Sequence, residues 1–281
     1  MQTAMKRNTT SAAVNLGLFV LGVIILLPFV FMVVASFTPV RDIFGHGLSL
    51  SLDMETATLD NFRALWTNRG GIYWRFFFNS VFVTTVNTAL VLVFTSMVGY
   101  GLSLYQFRGR NFLVMLLLCT MMVPGSILLL PMFRLITNLG LMDSYWGLIL
   151  PGMVPAIAIF FFRQFCIGLP KDYMEAARID GSNEAMIFLR IYVPLMSPAY
   201  GAMAILIGMG VWNDFLWPMV VLRTTTMLTL APGLMSSITP YDNSFDILFA
   251  GSVMSVLPII ILFFMNQKAF IDGLTVGGVK G

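Results

Sequence analysis

Residues 169–198 read LPKDYMEAARIDGSNEAMIFLRIYVPLMSP, and this stretch decides how the rest of the chain is organised. Pro170 stops any helix that precedes it, because proline lacks the amide hydrogen the next turn needs. Asp172 and Glu175 have the N-cap and N3 spacing of a capping box, which predicts a short helix beginning at Tyr173. Ala176 and Ala177 continue it with side chains too small to hold a partner away. Asp180-Gly181 ends it, the glycine supplying the left-handed backbone that a helix stop favours. Ser182 is placed to cap a second helix running through Glu184 toward Tyr192. Taken by itself, the pattern fits a connector between two larger elements. A stretch of this length with its own capped helices is long for an idle link.

Outward from this loop the chain is apolar. A membrane helix needs about 20 mostly apolar residues to cross the hydrocarbon core. Six segments meet that requirement: 12–37, 76–104, 112–134, 146–166, 199–222 and 248–270. The linkers between them are 38–75, 105–111, 135–145, 167–198 and 223–247. Of 281 residues, 58% are hydrophobic and 10% charged, whereas a soluble domain carries about 25% charged residues. So few charges cannot coat a water-exposed surface, and lipid must be much of the solvent. The fold class is therefore an all-α membrane protein with about six transmembrane helices, with no room for an added soluble enzyme domain. Lys6 and Arg7 precede the first apolar stretch in the manner of a secretory signal. That stretch exceeds the roughly 7 to 15 residues of a signal core, so it reads as an uncleaved first span.

An even number of spans puts both termini on one side. With the termini inside, Lys6, Arg7, Arg108, Arg110, Arg163, Lys171, Arg178, Arg190, Lys268 and Lys280 are cytoplasmic, ten in all. The outer set is Arg41, Arg63, Arg69, Arg75, Arg134 and Arg223, six in all, four of them in the single loop 38–75. The excess of positive charge favours cytoplasmic termini. The expected organisation is a cytoplasmic segment 1–11, a transmembrane domain 12–270 in the plasma membrane with loop 38–75 outside and loop 167–198 inside, and a cytoplasmic tail 271–281. Pro124, Pro131, Pro151, Pro155, Pro218 and Pro258 punctuate the spans. They fit ordinary kinks, or broken helices lining a path, since freed carbonyls at membrane depth must meet protein or a watery cavity. Cys119 and Cys166 lie in apolar runs with no CxxC spacing and read as packing residues. His46 sits in a Gly-flanked loop without ligand companions, so no metal site is expected. One histidine in a loop also assembles no nucleophilic triad, and no enzyme is expected.

The run Glu175-Ala176-Ala177, then Asp180-Gly181, then Ile191, Pro194 and Leu195 resembles the EAA loop of ABC importer permeases. The sequence departs from that pattern at the end, with Val193-Pro194-Leu195 where Leu-Pro is usual. The resemblance extends over nearly the whole chain. It includes Phe78-Asn79-Ser80, the YQFRGR run from Tyr105 to Arg110, Met121 to Gly125, Phe162-Arg163-Gln164-Phe165 and Trp212 to Pro218. It also includes the ending Phe270 to Gly281. Together these look like the carbohydrate-importing class, on the pattern of the second maltose-type permease, with the ending GLTVGGVKG closest to arabino-oligosaccharide permeases.

The resemblance implies the ABC type I importer permease fold and a role in moving a sugar or oligosaccharide across the plasma membrane. It implies a heterodimer with a second permease, an ATPase subunit dimer below and an extracytoplasmic sugar-binding protein above, with no nucleic acid. Glu175, Ala176, Ala177, Asp180 and Gly181 would then couple to the ATPase. The tail, with Gly277, Gly278 and Lys280, would reach between the ATPase subunits, although a glycine-rich end also fits simple disorder. No GxxxxGK[ST] run occurs, so no cofactor is expected on this chain, and ATP and magnesium fall to the partner ATPases. Trp212, Asn213, Asp214 and Trp217 cluster near the outer end of the fifth span. Tryptophan there fits an interfacial belt, but a carboxylate facing lipid is costly and normally turns inward. At 100° per residue Asn213 and Trp217 share a helix face, so the cluster fits a translocation path or a gate. Two alternatives stay open. An ABC permease for a non-sugar solute would share the coupling loop. An ion-coupled secondary transporter would keep ionisable groups within its spans as ion sites, whereas Asp214 is the only acidic residue inside one here.

Overall fold

Backbone amides that leave water for hydrocarbon must find their partners within their own segment. The apolar runs accordingly form helices in the computed structural model, which describes residues 2–43, 53–170, 172–239, 242–243 and 245–275. His46, Lys171 and the tail residues Gly277, Gly278 and Lys280 lie outside the described residues. The principal helices are α1 (Gln2–Phe37), α2 (Ile72–Leu104), α3 (Arg110–Met121), α4 (Gly125–Asn138), α5 (Tyr145–Ile149) and α6 (Ala156–Ile167). They continue as α7 (Asp172–Ile179), α8 (Glu184–Ile187), α9 (Ser197–Trp212), α10 (Leu216–Val221) and α11 (Phe245–Thr275). The all-α expectation needs one small amendment. Ile238–Thr239 pairs antiparallel with Asp242–Asn243, Ile238 opposite Asn243, in the linker before α11.

Among the described residues two single helices are long and apolar enough to cross a membrane by themselves, Val14–Phe37 within α1 and the whole of α2. The expected span 112–134 is α3 and α4, bent by 101°, and 146–166 is the stretch Tyr145–Gly152 followed by α6, bent by 45°. The fifth region is likewise bent, by 75° between Glu184–Leu195 and α9. The apolar stretch Leu248–Phe264 of α11 completes a set of about six. Proline explains where the chain breaks. Pro124 and Pro155 hold extended backbone (ψ 129° and 134°) immediately ahead of α4 and α6. Pro131 and Pro258, by contrast, sit inside continuous helices, so not every expected interruption interrupts.

The chain divides into two compact units. One comprises residues 1–74 with 234–256, the other 75–233 with 257–281. In the first, Asn61 is buried and its amide donates to Ser36 O (3.0 Å) and Thr38 O (2.8 Å), satisfying carbonyls left open at the end of α1. Tyr73 donates to Gly251 O (3.1 Å), and Phe31 meets Phe249 edge to face at 5.9 Å. Apolar side chains from Val14 onward stay largely exposed along α1, as on a helix whose solvent is lipid. In the second unit Val91, Tyr100, Phe162, Cys166, Tyr192 and Met196 form a buried core. Gly99 lets α2 and α6 approach until a Cβ there would lie 2.8 Å from Phe162 Cβ and 2.9 Å from Arg163 N.

Candidate functional site

The loop after α6 folds much as its punctuation suggests. Helix α7 starts at Asp172, placing Asp172 and Glu175 both in its first turn, where carboxylates complement the helix dipole. Gly181 has φ +78°. Ser182 N donates to Ala177 O (2.9 Å) and Gly181 N to Arg178 O (3.1 Å), the paired bonds of a Schellman stop. The second cap differs from expectation. Asn183, not Ser182, accepts from Met186 N (2.8 Å), since Asn183 is the residue that holds the extended backbone of a cap (ψ 161°), one place after the Ser182 amide closes α7.

The two alanines have different surroundings. Ala177 is buried beside Met174 in the second unit's core, so its small size lets α7 sit close to its own chain. Glu175 and Ala176 face outward together with Tyr173 and Ile179, the last 86% exposed. These two exposed apolar side chains on a helix outside the spans were not picked out from sequence. Their signal was their position, alternating with Asp172, Glu175 and Ala176 on one side of the helical wheel. Asp180 is also exposed.

Sequence reasoning also missed a polar cluster at the same level. Arg178 Nε donates to Glu184 Oε1 (2.7 Å), and the Tyr105 hydroxyl donates to Glu184 Oε2. Arg178 first, then Tyr105, hold the Glu184 carboxyl below the ordinary carboxylate range. Beside them Tyr100 packs against Tyr105, Phe188 and Tyr192, with ring centroids 5.8, 5.1 and 4.8 Å apart. Residues Phe188–Tyr192 form a π-helical turn ahead of Pro194.

Farther along the same unit, a cavity of about 280 Å³ opens where broken helices meet α2. Asn87 and Thr84 of α2, Pro151 and Pro155 at the α5–α6 break, and Asp214 and Trp217 line it. Asp214 accepts at Oδ1 from Trp217 N (3.3 Å), and the Trp217 indole donates to Gly147 O (3.2 Å). The structure corrects the helical-wheel argument here: Asn213 and Trp217 do not share a helix face, because α9 ends at Trp212 and α10 starts at Leu216. Asn213 turns back to Met209 O (3.0 Å), and Trp212 is buried edge to face against Phe77 (5.7 Å). Only Asp214 and Trp217 of the four reach the cavity wall. Among the described residues no group of three or more His, Cys, Asp or Glu is placed to hold a metal ion.

Comparison with known proteins follows the same outline. Residues 92–275 match the family described as binding-protein-dependent transport system inner membrane component. Over 280 residues the chain is 49% identical to the arabinooligosaccharides transport system permease protein AraQ of Halalkalibacterium halodurans, covering 99% of this chain and 100% of that protein. It is 47% identical over 269 residues to the protein of the same name from Bacillus subtilis, covering 96% and 95% respectively. Among solved structures, a bacterial ABC transporter involved in the import of the acidic polysaccharide alginate superposes with a TM-score of 0.82, covering 94% of this chain and 97% of that one. Its sequence is 24% identical, so this likeness speaks for the fold alone.

Proposed function

Since the chain belongs to the family of binding-protein-dependent transport system inner membrane components, we propose that it is one permease subunit of an ABC importer that moves a sugar or oligosaccharide across the plasma membrane. It is a multi-pass inner-membrane transport protein and not an enzyme. Family membership takes the place of the ion-coupled alternative. The observation that carries the carbohydrate reading is the 49% identity, over nearly its whole length, to a permease named for arabinooligosaccharides.

In this reading a second permease completes a heterodimer and two ATPase subunits dock below, holding ATP and magnesium. An extracytoplasmic binding protein delivers the sugar from above. Both termini are cytoplasmic, in keeping with the excess of basic residues on that side. The outward face of α7, with Glu175 and Ala176, meets the ATPase, while Ala177, Asp180 and Gly181 set the angle at which that face is presented. Closure of the ATPases on ATP draws the α7 helices of the two permeases together and turns the path outward, and hydrolysis resets it. Asp214 and Trp217 contribute to the path from the cavity wall, with Trp212 and Asn213 supporting the break between α9 and α10. The tail, with Gly277, Gly278 and Lys280, reaches between the ATPase subunits. Deleting residues 276–281 is therefore expected to lower ATPase stimulation by the loaded binding protein, and an unchanged rate would make the tail a passive end.

The deciding experiment is co-purification of the chain with its partners, reconstitution in lipid, and assay of ATPase activity with binding protein loaded with different solutes. Stimulation by an arabino-oligosaccharide or a related saccharide is the expected result. Stimulation confined to amino-acid or phosphate ligands would sink the carbohydrate reading.

A further inference from the structure

The Glu184 carboxylate joins three pieces of chain that are distant in sequence or separated by a turn. Arg178 at the end of α7 bonds one oxygen across the Gly181 turn, and Tyr105, just beyond the last turn of α2, bonds the other. The end of α2 is fixed a second time, because the Arg110 guanidinium donates to Leu102 O (2.9 Å) and Ser103 O (3.4 Å), carbonyls with no helical amide ahead of them. Helix α2 itself is unbroken from this end to the cavity, whose wall it lines with Thr84 and Asn87. At 1.5 Å per residue the distance from Asn87 to Leu104 is about 26 Å.

We propose that Glu184 is a positioning residue that clasps α7 to the end of α2, so that the two move as one body and a displacement of α7 reaches the cavity along an unbroken helix. This rests on the reading of α7 as the ATPase-docking element. A surface ion pair alone contributes little. Here the carboxylate has two donors from different segments, and their value lies in fixing relative orientation rather than in stability.

The test is the number of saccharide molecules moved per ATP hydrolysed by the reconstituted importer. Glu184→Ala is expected to lower that ratio at least about fivefold, the lower end of what energetic coupling between two sites amounts to. The exchange of charges in Arg178→Glu with Glu184→Arg should restore most of it. A merely structural role would reduce the amount of assembled complex and leave the ratio of the surviving complex unchanged, and that outcome overturns the proposal. A second variant is independent of folding losses. With Cys119 replaced by serine, Tyr105→Cys and Arg178→Cys joined by a short bifunctional reagent should still transport, because that link ties α7 to the end of α2 as the clasp does and the clasp stays closed through the cycle. Arrest of transport on cross-linking would mean the contact has to open, and would refute the idea. If no saccharide stimulates the ATPase of the unmodified complex, the importer reading has failed. If stimulation is normal and the Glu184→Ala ratio is unchanged, the clasp alone has failed.

Discussion

Replacing Gly181 by valine is expected to abolish coupled uptake while the complex still assembles in the membrane. The reason is backbone conformation rather than space. Gly181 has φ +78°, and a Cβ built there meets nothing within 4 Å. A β-branched residue held at that angle is a genuine outlier, costing about 1–3 kcal/mol. The chain escapes by giving up the bonds from Ser182 N to Ala177 O and from Gly181 N to Arg178 O, and α7 then leaves the loop at a different angle. Glu175 and Ala176 lose their presentation although nothing in the spans has changed. Gly181→Asn provides the control, since asparagine enters the left-handed region with less strain. It should retain most uptake, and Gly181→Ala should fall between the two. Uptake per assembled complex is the measurement, and full activity in the valine variant would return the loop to the status of a connector.

The second large effect is expected at Asp214. Its Oδ1 accepts one of the first-turn amides of α10, from Trp217, and its side chain stands in the cavity wall. Leucine removes both the acceptor and the charge. Loss of a capping acceptor alone costs about 0.5–2 kcal/mol, and the break between α9 and α10 would lose its definition. Asp214→Leu should therefore cut transport by about tenfold or more, where each 1.4 kcal/mol is tenfold, at unchanged membrane level. Asp214→Asn keeps the acceptor and loses the charge. If it transports normally, the residue serves only the helix break, and if it fails like leucine, the charge itself is used. Cysteine labelling that placed position 214 in bulk lipid would remove it from the path altogether.

Much of this architecture could be read from local chemistry, and the failures also have physical causes. Asp180-Gly181 announced its turn because glycine after a polar residue has few other uses at a helix end. The choice between Ser182 and Asn183 as the next cap could not be made from sequence, because both are good caps and the decision rests on which of them takes the extended backbone after the turn. The six apolar runs marked spans well. They carried no information about angle, and a break at Pro124 reads the same whether the axis turns by 45° or by 101°. The pairing of Tyr105 with Glu184 joins residues 79 positions apart and leaves no periodic trace. The wheel argument for Asn213 and Trp217 failed because it assumed a continuous helix across Asn213-Asp214-Phe215, three residues that suit an end better than a middle.

The close approach at Gly99 has a mechanical consequence. Two helices normally meet through interlocking side chains, a layer that tolerates small slips by exchanging rotamers. At Gly99 that layer is missing, and the backbone of α2 faces Arg163 N and Ile159 O of α6 with room for hydrogen only. At this height the pair has no gear teeth to skip and behaves as a welded joint. Movement within the second unit is then expected where the chain is already interrupted, at Met122–Pro124, at Met153–Pro155, at Met196 and at Asn213–Phe215.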